Sequence, residues 1–199
     1  MLPTYILTIT LVLSLLAWWQ PGIATSLAAH PYRSYHHGQW HRCLTQGLFY
    51  RHPLHFLLDA LAFYLFGMRV AMVYHHGLSW WGIPAFLGLY LGGVVVGGLL
   101  DTLRWREMEA LQAAGASAGV AAVMMGDLFY HPAGQLTVLG LTLPAWLMLP
   151  LYVGLSYQLA QRRHGHANPW AYLGAMLWAI VHALLLHVSS LAYQLPLLS

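Results

Sequence analysis

Charged side chains are scarce in this chain, and that scarcity constrains its fold more than any other feature. Only 7% of the 199 residues are Asp, Glu, Lys or Arg, whereas 59% are hydrophobic. Soluble domains carry about a quarter charged residues, so this chain lacks the polar surface that a water-exposed globule needs. The same apolar and aromatic composition excludes intrinsic disorder. The sequence therefore predicts an integral membrane protein that crosses the lipid bilayer several times.

Six apolar stretches predict an all-α bundle of six transmembrane helices, forming a single domain over residues 1–199. They cover about residues 5–19, 54–74, 78–100, 115–129, 143–161 and 170–193. The fourth stretch is short for a full crossing, so we expect it to begin inside the protein, below a loop that lines a cavity. Residues 20–53 are rich in His, Tyr, Trp and Arg, which predicts an interfacial loop or a half-buried hairpin.

Charge and cysteine content exclude several classes of function. The formal net charge is +3, but the basic residues form no cluster, which argues against a nucleic-acid partner. The single cysteine, Cys43, excludes an intrachain disulfide and a cysteine-based zinc site. If the amino terminus were cytoplasmic, most of the arginines would lie in outer loops. The positive-inside tendency therefore favours an external amino terminus, although structured loops weaken that rule and leave both orientations open.

A serine flanked by small residues opens the short fourth stretch, in the sequence Gly-Ala-Ser-Ala-Gly at residues 115–119. Small neighbours let a backbone or a substrate approach the Ser117 hydroxyl, and a helix start supplies free amide donors for a developing anion. The same small residues also suit a simple helix crossing, in which Ser117 would have only a packing role. Glycines of the third stretch, at 88, 92, 93 and 97, likewise predict close helix packing.

His55 and Asp59 form a second polar feature near the start of the second stretch. Their i, i+4 spacing places both side chains on one face of a helix. Ionisable groups at membrane depth are costly and usually face a functional interior or a water-filled cavity. The pair therefore indicates either a site or a hydrogen-bonded link between helices.

Taken together, these features resemble the rhomboid family of intramembrane serine proteases. Residues 39–45, QWHRCLT, are similar to the first-loop signature of that family, and residues 55–67 resemble its second-helix His-x-x-x-Asn motif. The segment 115–117 resembles the Gly-x-Ser-Gly motif that carries the nucleophile. The resemblance covers about residues 31–185. It implies a rhomboid-like bundle that is a multi-pass protein of a bacterial inner membrane.

The resemblance also implies roles for individual residues. Ser117 matches the nucleophile that attacks a peptide carbonyl of a transmembrane substrate, and His55 matches the histidine on the oxyanion side. Asp59 occupies the position of the oxyanion-side asparagine. The sixth-helix motif Ala-His-x-x-Gly is best matched by residues 170–174, WAYLG, which puts Ala171 where the family has its general base. No residue matches that base.

Three departures from the motifs point to a loss of activity. His182 lies eleven residues beyond Ala171, which is about 16 Å along a helix, too far to replace the base. An ionised Asp59 would only accept hydrogen bonds and would repel an oxyanion, unless burial kept it protonated. Ala118 replaces the glycine that follows the nucleophile. The sequence therefore predicts a pseudoprotease without a cofactor, which binds a transmembrane partner or serves as a subunit of a membrane complex.

Two other functions stay open at this stage. The first is an active protease with Ser117 as the nucleophile, for which Tyr172 and His166 are the candidate replacement bases. The second is a histidine-rich membrane subunit that binds haem, a pigment or a metal, because the chain contains thirteen histidines and imidazole is a common ligand. Most of these histidines fall in predicted loops, where solvated imidazoles are common.

Overall fold

The computed structural model describes residues 2–138, 140–164 and 168–194, and most of them lie in helices. The helices are α1 (Leu2–Trp19), α2 (Pro21–Leu27), α3 (Pro31–His36), α4 (Arg42–Thr45), α5 (Pro53–Leu78), α6 (Gly82–Trp105), α7 (Ser117–Tyr130), α8 (Ala145–His164) and α9 (Pro169–Gln194). A hairpin of two short strands, β1 (Gln135–Val138) and β2 (Leu141–Pro144), joins α7 to α8. The expected all-α membrane bundle is confirmed, with this hairpin as an addition.

Three helical segments in the described part of the chain are long and apolar enough to cross a membrane, judged by length and composition. They are Leu2–Trp19, Pro53–Trp105 and Pro169–His187. The second contains α5 and α6, which are separated by a 3-10 turn at Ser79–Trp81. Helix α7 is apolar but shorter, and α8 contains Pro150 within its span.

Prolines determine where several helices begin. Helices α2, α3 and α5 each carry a proline in the first turn, and α9 begins at Pro169. Proline is favoured there because its fixed φ suits a helix, and its missing N–H would have no partner inside the helix. The predicted stretches and the observed helices differ at their ends. In particular, α5 continues through the polar residues His75 and His76 to Leu78, because such residues interrupt an apolar run without interrupting a helix.

The segment between α1 and α5 folds into short helices that cover one end of the bundle. The Arg42 guanidinium donates hydrogen bonds to the carbonyls of Ala28, at 2.8 Å, and Thr25, at 3.2 Å. Ala29 pairs through its backbone with Ala113, in the loop before α7. The cover and the start of α7 are therefore held together by main-chain hydrogen bonds.

Helix α7 lies inside the bundle, packed against α5, α6 and α9. Its central residues, 120–124, are each at most 1% exposed. Because the surrounding helices shield it, α7 does not need the length of a lipid-exposed crossing. The polar groups at its two ends, Ser117 and Asp127, are consequently buried in protein.

Glycines allow α6 and α7 to approach closely. A Cβ atom built on Gly93 would lie 2.5 Å from the Ala122 side chain and 3.2 Å from the Gly119 Cα. Real Cβ atoms do not come so close to such neighbours, so glycine is required at this crossing. The small-residue pattern of the third apolar stretch corresponds to this contact.

An ion pair fixes the other end of α7. The Arg69 Nε lies 3.1 Å from the Asp127 Oδ1, and the His131 Nδ1 lies 3.0 Å from the same oxygen. Arg69 also donates to the Gln135 carbonyl at the start of β1. This cluster therefore ties α5, α7 and the hairpin together at the end of α7 that lies away from Ser117.

Substitution of Gly93 by alanine is expected to destabilise the bundle. The added methyl group must push α6 away from α7, at a cost of about 1–3 kcal/mol in the free energy of unfolding. Gly154→Ala is the matched control, because no atom lies within 4 Å of a Cβ at that position. We expect the control to be neutral or slightly stabilising. Equilibrium unfolding in mixed detergent micelles measures both, and equal effects would contradict this account of the helix contact.

Candidate active site at the start of α7

Buried polar side chains from four long helices meet around Ser117. Helix α7 begins at Ser117 itself, and the other members of the group come from α5, α8 and α9. They are His55, Asp59, Tyr152, Ser156 and Tyr172, and none of the group is more than 8% exposed. The structure thus brings together Ser117, His55, Asp59 and Tyr172, which the sequence had singled out separately. The other candidate, His166, lies outside the described residues.

The backbone before Ser117 places it at the end of the helix. Gly115 has a φ of +138°, which L residues rarely adopt, and its N–H donates to the Gln46 carbonyl at 2.9 Å. No side chain caps the amino terminus of α7. The first N–H groups of a helix lack intrahelical acceptors and form its positive end, so amide donors are available beside the Ser117 hydroxyl.

The Ser117 hydroxyl contacts two ionisable side chains at once. Its Oγ donates to the Asp59 Oδ2 at 2.6 Å and lies 2.9 Å from the His55 Nε2. A hydroxyl has one proton, so a serine that donates to Asp59 must accept from His55. The tautomer that satisfies both contacts carries its proton on Nε2. In this arrangement the serine proton is directed at the carboxylate, not at the imidazole.

Asp59 is completely buried and collects hydroxyl donors. The Tyr152 hydroxyl lies 3.1 Å from the Asp59 Oδ1 and also 3.1 Å from the Ser117 carbonyl oxygen. The Tyr50 hydroxyl, in the loop before α5, also interacts with the carboxyl group. Burial and the neighbouring Asp59 raise the pKa of Tyr50, so that it stays a protonated donor. Three hydroxyl groups therefore surround the Asp59 carboxylate, which can only accept hydrogen bonds.

The network continues from His55 towards α9. The His55 Nε2 lies 3.1 Å from the Ser156 Oγ, which in turn lies 2.9 Å from the Tyr172 hydroxyl. The Tyr172 hydroxyl thus joins the Ser117 group by way of Ser156. The network crosses from α5 to α8 and then to α9, so it links α5 to two helices that lie about a hundred residues further along the chain.

Ala171 is buried on α9 and lines one cavity together with Ser117. Its side chain is only a methyl group, at the position where the sequence motif predicted that the general base is missing. His182, further along α9, lies 3.4 Å from the Tyr74 hydroxyl through its Nδ1 and packs against Gly88. Its imidazole therefore belongs to a different part of the bundle, as the spacing along the helix predicted.

The cavity beside Ser117 has a volume of about 90 Å³. That is room for roughly three water-sized groups. Its wall is mostly apolar and includes Gly97, Gly98 and Ala118, while polar groups come from His55, Tyr172 and Asp101. The Ser117 hydroxyl is therefore accessible to a small group that enters the cavity.

The third function considered, a metal- or pigment-binding subunit, needs a set of ligands. In the described part of the chain, no group of three or more His, Cys, Asp and Glu side chains is placed to hold a metal ion. Two of the buried histidines, His55 and His182, contact polar partners in separate parts of the bundle.

Sequence reasoning missed Tyr152 and Ser156 as members of this group. They lie four residues apart on α8, so their side chains project from one face of the helix. A polar i, i+4 pair in an apolar stretch was therefore a usable signal, of the same kind as His55 and Asp59. Tyr50 left no comparable signal, because it comes from an irregular loop.

Comparison with known proteins gives one positive result. The family model described as the Rhomboid domain matches residues 37–189 of this chain. No curated protein and no solved structure gives a match.

Substitution of Tyr152 by phenylalanine is expected to lower the free energy of unfolding. It removes a hydroxyl proton that Asp59 and the Ser117 carbonyl share as acceptors. A lost hydrogen bond to a buried charged group costs about 1–3 kcal/mol. Tyr157→Phe, on the same helix, is the control because the Tyr157 hydroxyl only accepts a bond from the exposed Gln161. Equal loss in the two variants, measured by unfolding in detergent, would show that the network adds little to stability.

Proposed function

This chain belongs to the rhomboid family, as an all-α protein of the lipid bilayer, and on that basis we propose that it is a pseudoprotease. In this proposal it is a single-domain, multi-pass protein of a bacterial inner membrane. It binds a transmembrane segment of a partner protein without cutting it, alone or as a subunit of a larger membrane complex.

The observation that carries the proposal is the methyl group of Ala171 in the cavity beside Ser117. A serine hydroxyl is a weak nucleophile, and it needs an adjacent base to take its proton. Removing the base from a serine protease lowers the rate by several orders of magnitude. The position on α9 that shares the cavity with Ser117 thus lacks the group on which hydrolysis by this family would depend.

Asp59 adds a second obstacle to hydrolysis. Its Oδ2 lies 2.6 Å from the Ser117 Oγ, so a tetrahedral intermediate on Ser117 would develop its negative charge close to this carboxylate. Two unit charges about 4 Å apart interact by about 4 kcal/mol at an effective dielectric constant near 20. A repulsion of that size would slow the reaction by roughly a thousandfold.

A binding role is compatible with the same features. The bundle exposes large apolar side chains on α9, including Leu173, Leu177 and Leu185, which can contact lipid or another apolar helix. The cavity beside Ser117 is lined on one side by α9 residues. A bound segment could therefore be held without chemical change.

An active protease is the second candidate, and one distance favours it. The His55 Nε2 lies 2.9 Å from the Ser117 Oγ, which is hydrogen-bonding distance for a nucleophile and a base. That reaction needs the other tautomer of His55, with the proton on Nδ1, so that Nε2 takes the Ser117 proton as the Oγ attacks a peptide carbonyl. The proton then passes to the leaving amine as the C–N bond breaks, and water hydrolyses the resulting acyl-enzyme. Asp59, with its Oδ1 3.7 Å from the Nε2, would stabilise the imidazolium. The free amides of α7 would hold the oxyanion.

Labelling with a fluorophosphonate probe, which reacts with activated serines, separates the two candidates. We expect no labelling of the folded wild-type protein in detergent, because the Ser117 hydroxyl donates to Asp59 and position 171 on α9 carries no base. Gel fluorescence measures the reaction, and Ser117→Ala gives the background. Labelling of the wild type that disappears in both Ser117→Ala and His55→Gln would establish the active protease instead.

Restoring the two missing groups is expected to create reactivity. The double variant Ala171→His and Asp59→Asn places an imidazole in the cavity and removes the opposing carboxylate. We expect labelling at least about tenfold above the background, which corresponds to lowering the activation free energy by roughly 1.4 kcal/mol. The same double change combined with Ser117→Ala is the control. A folded double variant that does not label would contradict the account of why the site is inactive.

A further inference from the structure

An acidic side chain lies on the wall of the cavity beside Ser117. Asp101 is in the last turns of α6, is partly buried, and lines the cavity together with Ser117 and Ala171. Asn168, just before α9, lines the same cavity, and its side-chain amide donates to the Leu100 carbonyl at 3.3 Å. Neither the rhomboid motifs nor the network around Asp59 gives Asp101 a role.

The arginines that follow Asp101 in sequence are engaged elsewhere. The Arg104 guanidinium stacks over the Trp105 ring at 4.5 Å, and the Arg106 Nε pairs with Glu107 at 3.3 Å. Among the residues whose side chains the structure describes, no cation forms an ion pair with Asp101. A carboxylate on a mostly apolar wall, without a cation beside it, attracts a positively charged group.

The ends of two helices give the cavity a negative side at Asp101 and a positive side at Ser117. Asp101 lies near the carboxyl end of α6, where unpaired carbonyls carry partial negative charge. Ser117 lies at the amino end of α7, where free amides carry partial positive charge. The cavity therefore favours a cation on the Asp101 side and a carbonyl or other acceptor on the Ser117 side.

We propose that this cavity receives the side chain of a lysine from the transmembrane segment of the partner, with the ammonium group at Asp101. The inference rests on the proposed function, because it names the chemistry of the bound segment. The volume of about 90 Å³ holds roughly three water-sized groups. It therefore suits the outer part of a lysine side chain, which consists of the last two methylenes and the ammonium group. Lysine near the end of a membrane helix also extends its ammonium towards the interface, and Asp101 lies in the last turns of α6.

Binding of synthetic transmembrane helices tests the charge preference. The probes are leucine-alanine peptides of about 22 residues that differ at one position near the end of the apolar segment, which is lysine, norleucine or glutamate. Energy transfer to the protein in lipid nanodiscs measures Kd. We expect the lysine peptide to bind at least about tenfold more tightly than the norleucine peptide, and the glutamate peptide to bind least tightly.

The variant Asp101→Asn should bring the lysine and norleucine affinities together. Glu109→Gln is the matched control, because Glu109 is an exposed acid on the α6–α7 loop and is not among the residues that line this cavity. It should keep the preference for lysine. Equal binding of the lysine and norleucine peptides to the wild type, or a lysine preference that survives Asp101→Asn, would overturn the inference.

A second measurement does not depend on peptide binding. The variant Ser117→Cys, in a Cys43→Ala background, reacts with methanethiosulfonate reagents that enter the cavity. The quantity compared is the reaction rate of the cationic aminoethyl reagent divided by that of the neutral methyl reagent. We expect this rate ratio to be at least about tenfold higher with Asp101 present than in the same protein with Asp101→Asn. If no peptide binds while this cation preference holds, the proposed binding of a transmembrane segment is wrong, and the charge preference of the cavity stands. If the two rate ratios are equal, the inference about Asp101 is wrong.

Discussion

The enclosure of α7 by α5, α6 and α9 is the constraint on which the rest of the structure depends. A helix of 14 residues inside a membrane bundle can carry polar groups at both ends only if other helices supply their partners. Glycine at position 93 lets α6 approach closely enough to enclose it. Asp127 then forms an ion pair with Arg69, and Ser117 donates a hydrogen bond to Asp59 of α5. Close packing and polar satisfaction are therefore one requirement in this fold.

The polar group around Ser117 shows how stability and chemistry oppose each other at one site. Asp59 accepts hydroxyl donors from three parts of the chain, and these bonds hold α5, α7 and α8 together. A carboxylate at this position also opposes negative charge on a reacting serine. Under the proposed function no partner is cut, so no catalytic requirement would select against this stabilising interaction.

Much of the fold could be predicted from the sequence, and part of the site as well. Apolar stretches indicate helices because a bilayer-spanning chain must satisfy its backbone internally, and the i, i+4 spacing of His55 and Asp59 indicates a shared face. The contact of His55 with Ser156 could not be predicted, because 101 residues separate them and only tertiary packing brings them together. The β-hairpin was also missed, since strands of four residues leave a weak pattern.

The connection between α5 and α6 has a consequence for how the chain enters the membrane. Only the 3-10 turn Ser79–Trp81 separates the two helices, and it contains no charged residue. The pair can therefore insert as one helical hairpin with no Asp, Glu, Lys or Arg in its turn, and the charge of Arg69 within α5 is met by Asp127 of α7. Trp80 and Trp81 are exposed and suit the headgroup level, where they would stop the hairpin at a fixed depth. During biosynthesis, the orientation of both helices would then be decided by the arginine-bearing segments on either side of the pair.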